Sequence, residues 1–402
     1  MSSPHIEIGS SIRKKLCCLA FVLIVAPVAS AQQPPLRPLD DFVRKAMRDW
    51  EVPGLAIVVV QNDKIVYLKN FGVRKIGERP PIDERTLFQI GSATKAFTAT
   101  ALGMLVDDGK LKWDDPVSTW LKDFRLPTPE LTARVTIRDL LSHRTGIGDN
   151  LAMYWGTSLS RRDLMERLQS LDVHAGLRER FDYNNLMYVA AGEVIRAVSG
   201  IEWADFIRQR LFQPLGMASS VTDIASLRDR SNLASGHGKS GTPGTVQVLP
   251  LIDLDAVGPA GGILSNASDM AQWVRFQIGN GTVAGRQLVK PGTMNEMRTP
   301  QVFIPRQPPF SLYFFDNVFS AYGLGWMLSD YHGHQIIQHA GLTDAMTSLV
   351  ALMPDQGVGM VVLTNSNFGA PWMPSAVMYQ VFDAFLGNPS KDWNAEYLQK
   401  GK

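Results

Sequence analysis

Near both ends of the 402-residue chain, apolar residues form β-branched or alternating runs that are typical of β-strands. The β-branched run Leu55–Val60 and the alternating run Lys64–Val73 flank an Asn-Asp turn signal, so we predict a β-hairpin there. Three further strands are predicted late in the chain, at Gln335–Leu342, Ala345–Met353 and Val358–Thr364.

The middle of the chain follows a helical period instead. The predicted helices are Ala96–Val106, Ile137–Leu141, Arg161–Leu171, Leu186–Val198, Trp203–Phe212 and Ala267–Ile278, with a late one at Ser375–Leu386. Because neither terminal set of strands can bury a sheet face alone, we expect both sets to pair into one antiparallel sheet with helices packed on it. The predicted fold class is therefore α/β (α+β), with a helical subdomain inserted at roughly residues 110–270.

The first 31 residues predict a secretory signal peptide. Basic residues at positions 13–15 precede the apolar run Leu16–Val28, and the small residues Ala29–Ala31 follow. The apolar run is too short to cross a bilayer as a helix. We expect cleavage to leave a single domain, residues 32–402, that is periplasmic or secreted and has no stable membrane span. An uncleaved anchor is the alternative.

Composition excludes several functions for the chain that cleavage would leave. Both cysteines, Cys17 and Cys18, lie inside the predicted signal, so a cysteine nucleophile and a disulfide are excluded. The formal charge of the whole chain is +2, and loss of the signal leaves equal numbers of basic and acidic residues. Such a balance gives no electrostatic footprint for nucleic acid. We therefore expect a small-molecule or peptide partner, and the oligomeric state stays open.

Ser92 and Lys95 are a candidate nucleophile and base at the start of a predicted helix. Residues three apart share a helix face, with β-carbons about 5–6 Å apart. A serine hydroxyl needs a base to become a good nucleophile, and lysine can serve if burial lowers its pKa from about 10.4. On the pair alone, a polar first turn is the commoner explanation, since chance gives roughly one Ser-x-x-Lys in such a chain. A second copy indeed occurs at Ser11–Lys14.

Two later motifs supply candidate partners for this pair. Tyr183 and Asn185 form a Tyr-x-Asn just before a predicted helix, where a helix-capping turn is the alternative explanation. His339 opens a His-Ala-Gly triplet on a predicted strand, whose small residues let a substrate approach the strand edge. Two similar triplets fit less well, because 174–176 lies close before Tyr183 and 239–241 runs into a loop.

The three motifs in this order resemble those of serine β-lactamases and penicillin-binding proteins. The second motif contains a tyrosine, and in this it is similar to the branch that contains class C β-lactamases, DD-peptidases and family VIII esterases. Flanking stretches such as LLSHRTGI at 140–147 and YGLGW at 322–326 support the resemblance, which runs from about Leu39 to Gly387. It implies a β-lactamase/transpeptidase-like fold and hydrolysis through an acyl-serine, with no metal or organic cofactor.

The resemblance also implies a role for each motif residue. Ser92 would be the acylated nucleophile, Lys95 its base or one of two bases, and Tyr183 the group that passes the proton to the leaving group. The predicted substrate-binding residues are Asn185, His339, Gly341 and Leu342. The backbone N–H groups of Ser92 and Leu342 would form the oxyanion hole.

His339 departs from the pattern, because many relatives carry lysine at this position. Neutral histidine supplies no permanent cation to hold Tyr183 as a phenolate. We therefore expect weak β-lactamase action, and activity that rises as His339 titrates near neutral pH. The expected substrates are D-amino-acid peptides first, short-chain esters next and β-lactams third.

Three other interpretations compete with an acyl-serine peptidase. The first is a short-chain carboxylesterase of the family VIII type. The second is a binding protein that senses penicillin or a peptidoglycan peptide without turnover. The third, a zinc site built from His332, His334 and His339, is disfavoured because no carboxylate stands at ligand spacing.

Overall fold

A computed structural model describes residues 38–239, 245–306, 317–367, 372–389 and 391–400, together with residues 1, 4 and 36. The predicted signal peptide lies almost entirely outside the described residues, so it stays a prediction. From residue 36 onward the described residues form one compact unit. Within these ranges no helix combines the length and the apolar character that crossing a bilayer requires.

Helices and short strands alternate along the chain. The helices are α1 Pro38–Asp49, α2 Thr94–Asp107, α3 Val117–Trp120, α4 Pro129–Arg134, α5 Ile137–Leu141, α6 Arg161–Arg167, α7 Asn185–Ser199, α8 Trp203–Ile207, α9 Gln213–Leu215, α10 Gly258–Gly261, α11 Ala267–Ile278, α12 Pro291–Met297, α13 Trp372–Leu386 and α14 Trp393–Lys400. The strands are β1 Gly54–Gln61, β2 Lys64–Gly72, β3 Phe88–Gln89, β4 Gly236–Lys239, β5 Val246–Leu249, β6 Leu264–Ser265, β7 Thr282–Val283, β8 Arg286–Gln287, β9 Val302–Phe303, β10 Ser320–Tyr322, β11 Met327–Tyr331, β12 His334–Leu342, β13 Thr347–Met353 and β14 Val358–Thr364.

The large sheet joins both ends of the chain, as predicted. Its eight described strands follow the order β2-β1-β14-β13-β12-β11-β10-β9, and each neighbouring pair is antiparallel. The hairpin between β1 and β2 turns at Asn62 and Asp63, whose φ values of 46° and 66° suit a tight hairpin turn. Strands β9 to β11 were not predicted, because they are short and carry no sustained alternation.

The sheet separates two apolar cores, and β1 shows how. Ala56, Val58 and Val60 point into a core shared with α2, α7 and α11. Their neighbours Leu55, Ile57 and Val59 point into a second core shared with α1, α13 and α14. A strand buried on both faces is continuously apolar, which explains the uninterrupted run that predicted β1.

Helices α3 to α10 lie between residues 117 and 261, within the segment predicted as a helical insertion. They pack around α2, which is buried on all sides because every residue from Thr94 to Leu105 is buried. In this group α7 contacts both α2 and α10. Gly192 in α7 makes the last contact possible, since a β-carbon there would lie 2.3 Å from the Pro259 ring. The domain division itself stays a prediction.

Candidate active site

Ser92 lies in a short 3-10 turn, Gly91–Ala93, that leads directly into α2. The free N–H groups of such a helix start favour negative charge beside them. Gly91 has φ +50°, a conformation that glycine adopts without strain. Ser92 itself is partly exposed and lines a cavity, whereas its neighbours Gly91 and Ala93 are buried.

The end of β12 lies against this turn at backbone distance. Strand β11 pairs with β12 only as far as Gln338, so beyond that residue this edge of β12 is open toward the turn. A β-carbon on Gly341 would lie 1.8 Å from the Ile90 carbonyl oxygen, and one on Gly91 would lie 2.8 Å from the Leu342 nitrogen. The missing side chain of Gly341 thus makes room for the Ile90 carbonyl of the same chain, and its predicted substrate-binding role stays a prediction. The approach brings the backbone of Leu342 beside Ser92.

Lys95 is completely buried, and three oxygen atoms surround its amine. The distance from Nζ is 2.9 Å to Ser92 Oγ, 2.7 Å to Asn185 Oδ1 and 2.9 Å to the carbonyl oxygen of Ala260. The last two oxygens can only accept hydrogen bonds. They therefore occupy both hydrogens of a neutral amine, and its lone pair is left for the hydroxyl of Ser92. In this arrangement a neutral Lys95 could take a proton from Ser92, so its role as a base stays a prediction.

Burial lowers the pKa of Lys95 to about 7, and the negative charge of Asp149 partly opposes this shift. The amine also lies 4.8 Å from the ring centroid of Tyr183 and 5.3 Å from that of Tyr188. Both rings favour the ammonium form modestly. Near neutral pH a large fraction of Lys95 is therefore uncharged, as a general base requires.

Tyr183 is brought to the same cavity by the segment before α7. Its ring packs against that of His143 in a tilted arrangement, with centroids 4.2 Å apart and planes inclined by 33°. His143 is itself buried, and its Nδ1 accepts a hydrogen bond of 3.1 Å from the backbone N–H of Asn184. Burial holds the pKa of His143 well below its usual value, so the ring is neutral. The neutral His143 ring thus packs against the Tyr183 ring and limits its movement.

Asn185 faces Lys95 because its neighbour caps the helix. The side chain of Asn184 accepts the hydrogen bond from the Met187 N–H, and α7 begins at Asn185. The carboxamide nitrogen of Asn185 donates to Asp149 Oδ2 over 2.9 Å and to the Tyr154 hydroxyl over 2.8 Å. Protein groups thus engage both ends of this amide. A substrate amide would have to replace one of these bonds, so the predicted binding role stays a prediction.

The expectation that His339 titrates near neutral pH is wrong. The ring is buried, its Nδ1 donates to the Ala340 carbonyl oxygen over 2.6 Å, and its Nε2 accepts from the Tyr322 hydroxyl over 2.8 Å. Desolvation, and secondarily the charge of Lys95, lower the pKa of His339 to about 3. A neutral tautomer satisfies both contacts, so His339 holds a fixed uncharged state where a lysine would hold a charge.

The predicted motif residues meet at one cavity of about 300 Å³. Ser92, Tyr183, Asn185, His339 and Leu342 all line it. Its apolar wall includes Leu151, Trp155, Leu254, Val257 and Met327. On one side, the indole N–H of Trp155 donates to Asp344 Oδ2 over 3.0 Å, which ties the segment after α5 to the turn that follows β12.

Sequence reasoning missed the polar support of the site. Asp149 and Tyr154 both contact Asn185, and the Tyr154 hydroxyl donates to Asp149 over 2.6 Å. Neither Tyr154 nor Asp149 was predicted from the sequence to be a site residue. The available signal was a lone acidic residue that directly follows the LLSHRTGIG stretch in a loop.

Comparisons with known proteins agree with this geometry. The sequence model of the family described as Beta-lactamase matches residues 39–380. A protein described as unguisins hydrolase ungD' from Aspergillus campestris is 31% identical over 382 residues, which covers 90% of this chain and 68% of that protein. The chain therefore belongs to the β-lactamase family of serine hydrolases, and the predicted resemblance is confirmed.

Solved structures share the fold. The octameric penicillin-binding protein homologue from Pyrococcus abyssi superposes with a TM-score of 0.75 at 26% identity, covering 88% of this chain and 78% of that one. A D-amino acid amidase from Ochrobactrum anthropi SV3, in complex with L-phenylalanine, superposes with a TM-score of 0.69 at 21% identity, covering 86% and 99%. These likenesses confirm the predicted fold class.

Proposed function

We propose that this chain is an exported serine hydrolase that cleaves small amides or esters through an acyl-serine intermediate. The observation that carries the proposal is the contact set of Lys95, a buried amine whose two obligate acceptors leave its lone pair for the Ser92 hydroxyl. A Ser-x-x-Lys that merely began a helix would need neither the burial nor the acceptors.

In the proposed reaction Ser92 Oγ attacks the substrate carbonyl carbon while its proton moves to Lys95 Nζ. The N–H groups of Ser92 and Leu342 would stabilise the resulting oxyanion, and one such donor typically contributes about 2.7–4 kcal/mol. Tyr183 would give its hydroxyl proton to the leaving nitrogen or oxygen as the carbonyl bond re-forms, and the proton held by Lys95 would restore the phenol. Water would then attack the acyl-enzyme and lose a proton to Lys95, and that proton would pass to Ser92 Oγ as the acid is released.

The substrate class we favour is D-amino-acid peptides or amides. Two considerations support it: structural neighbours include D-amino acid amidases and penicillin-binding proteins, and the neutral His339 is a poor substitute for the lysine of class C β-lactamases. Short-chain esters are the second candidate, because the cavity wall around Trp155 and Leu254 is apolar enough for an acyl chain. β-Lactams rank third.

The test is intact-protein mass spectrometry combined with turnover assays. The purified chain is incubated with a D-Ala-D-Ala peptide, a phenyl ester and a fluorescent penicillin, and parallel assays follow steady-state product release. We expect an acyl adduct and sustained turnover of at least one substrate, both lost in Ser92→Ala. Ser158→Ala, the same change at an exposed serine, is the matched control.

Each outcome separates one alternative. A single burst of product with a lasting adduct would favour the non-turnover binding protein. Turnover of the ester without the peptide would favour the carboxylesterase. An adduct that persists in Ser92→Ala would place the nucleophile elsewhere and overturn the proposal.

The pH dependence of hydrolysis should follow Lys95. Since burial lowers the pKa of Lys95 to about 7, the basic amine accumulates as the pH rises through 7. We expect kcat/KM to increase from pH 5.5 and level off above pH 8. In His339→Gln the rise of kcat/KM with pH should keep its midpoint, because His339 is already neutral across this range. If this rise disappeared in His339→Gln, the histidine would have to titrate in this range.

A further inference from the structure

Asn185 can present either end of its amide to Lys95, and a carboxylate decides which. The carboxylate of Asp149 accepts hydrogen bonds and has no proton to donate when ionised. Its Oδ2 lies 2.9 Å from the Asn185 nitrogen, so the NH₂ end must face Asp149 and the oxygen must face Lys95. The Tyr154 hydroxyl, which donates to the same carboxylate oxygen over 2.6 Å, accepts from that nitrogen over 2.8 Å. The contacts with Asp149 and Tyr154 thus fix one orientation of the Asn185 amide.

The orientation matters for the base. With its oxygen toward the amine, Asn185 takes up one hydrogen of Lys95 and leaves the lone pair for Ser92. With the amide reversed, an N–H of Asn185 would meet the amine, repelling the ammonium or occupying the lone pair of the neutral form. Once its lone pair is occupied, the neutral amine can no longer take the proton of Ser92.

Asp149 also places a negative charge near the Lys95 amine. The other titratable groups that face Lys95 are Tyr183, Tyr188, His143 and His339. Burial keeps both histidines neutral. The negative charge of Asp149 adds to the modest effect of the two tyrosine rings in favouring the ammonium form, and it opposes the desolvation that favours the neutral amine.

We propose that Asp149 is a positioning residue for hydrolysis, which orients the Asn185 carboxamide through a contact shared with Tyr154 and places a negative charge near the Lys95 amine. The proposal rests on the proposed role of Lys95 as the base of Ser92. It assigns to the loop after Gly148 a function in setting the working pH of the site, in addition to forming the cavity wall.

The test is the pH profile of kcat/KM for Asp149→Asn, which keeps the shape and the acceptor oxygen but removes the charge. We expect the acid limb to move to lower pH by on the order of one unit. Tyr154→Phe keeps the carboxylate and should leave the limb in place. Asp149→Leu, which frees the amide to reverse, should lower the plateau rate by about 10- to 100-fold. An Asp149→Asn limb at the wild-type midpoint would overturn the proposal.

A direct titration makes the result independent of activity. Lys95 is observed by ¹³Cε-lysine NMR, with its resonance assigned from the spectrum of Lys95→Arg, and Asp149→Asn should shift its midpoint downward as in the kinetics. Asp172→Asn is the matched control, since this exposed aspartate adjoins the same loop through the hydrogen bond from the Gly148 N–H to its carbonyl oxygen. If Ser92→Ala still turned over substrate, the proposed function would fail whatever the NMR showed. An unmoved Lys95 midpoint in Asp149→Asn would refute only the role of Asp149.

Discussion

Replacing Lys95 by methionine is expected to slow acylation of Ser92 by about three orders of magnitude, the range in which a positioned general base contributes. Methionine has a similar length and fills the buried space, but it has no lone pair that can take the Ser92 proton. The measurement is the burst-phase acylation rate with p-nitrophenyl acetate, and thermal unfolding checks that the variant is folded. Lys110→Met, an exposed lysine just after α2, should acylate at the wild-type rate.

Lys95→Arg distinguishes the role of Lys95 as a base from the effect of its positive charge. Arginine retains the cation and its donors but does not lose its proton in proteins. We expect it to acylate as slowly as the methionine variant, without recovery at higher pH. Near-wild-type acylation by Lys95→Arg would mean that the lysine acts only through its charge, and the base would have to be sought elsewhere.

The second large effect is expected at Asp139, where replacement by alanine should lower the free energy of unfolding by about 3–5 kcal/mol. The carboxylate is fully buried, and it accepts from Arg144 Nε over 2.7 Å and from Arg178 over 2.8 Å. It also completes the capping box of α5 with Thr136. Although desolvation alone would raise the pKa of Asp139, these hydrogen bonds and charges outweigh it and lower the pKa. Alanine would leave two guanidinium groups without their acceptor.

Asp163 provides the matched control for this variant. It occupies the same capping-box position in α6, with Ser160 as its partner, but lies at the surface. Urea unfolding of both alanine variants should show a much smaller loss for Asp163→Ala, because only a helix cap is removed. Equal losses would contradict the importance that we assign to the buried ion pairs.

Asp139 also matters for the site. The backbone N–H of Arg178 donates to the Arg144 carbonyl over 2.7 Å, and that of Asp182 donates to the His143 carbonyl over 2.8 Å. These bonds join the segment after α5 to the segment that carries Tyr183. We therefore expect Asp139→Ala to lose activity at temperatures well below its unfolding midpoint.

Local patterns predicted most of the fold and the central part of the site. The strands at both ends were found from β-branched or alternating runs, and Ser92 and Lys95 from a spacing of one helical turn, because these signals involve neighbours in sequence. The short strands β9 to β11 were missed for the opposite reason: each depends on its partners more than on its own residues. The pairing of the N-terminal strands with the C-terminal strands was predicted on a different ground, because neither set can bury a sheet face alone.

Contacts between distant segments could not be predicted in the same way. The contact of Asp149 with Asn185 joins residues 36 positions apart, and no periodicity reports it. The wrong prediction that His339 titrates near neutral pH has a similar origin. The sequence gives the residue type and its intrinsic pKa near neutrality, but burial and the hydroxyl of Tyr322 determine the state of the ring.

The order of the strands has a consequence for biosynthesis. Ser92 and Lys95 are made early, yet the residues that surround them come from 183–185, 260 and 339–342, and β12 is held in place by β13 and β14. On the proposed function, we therefore expect the Ser92 hydroxyl of a nascent chain to stay unreactive until β14 has been made. A product that terminates before β14 should lack hydrolase activity, because its sheet is incomplete.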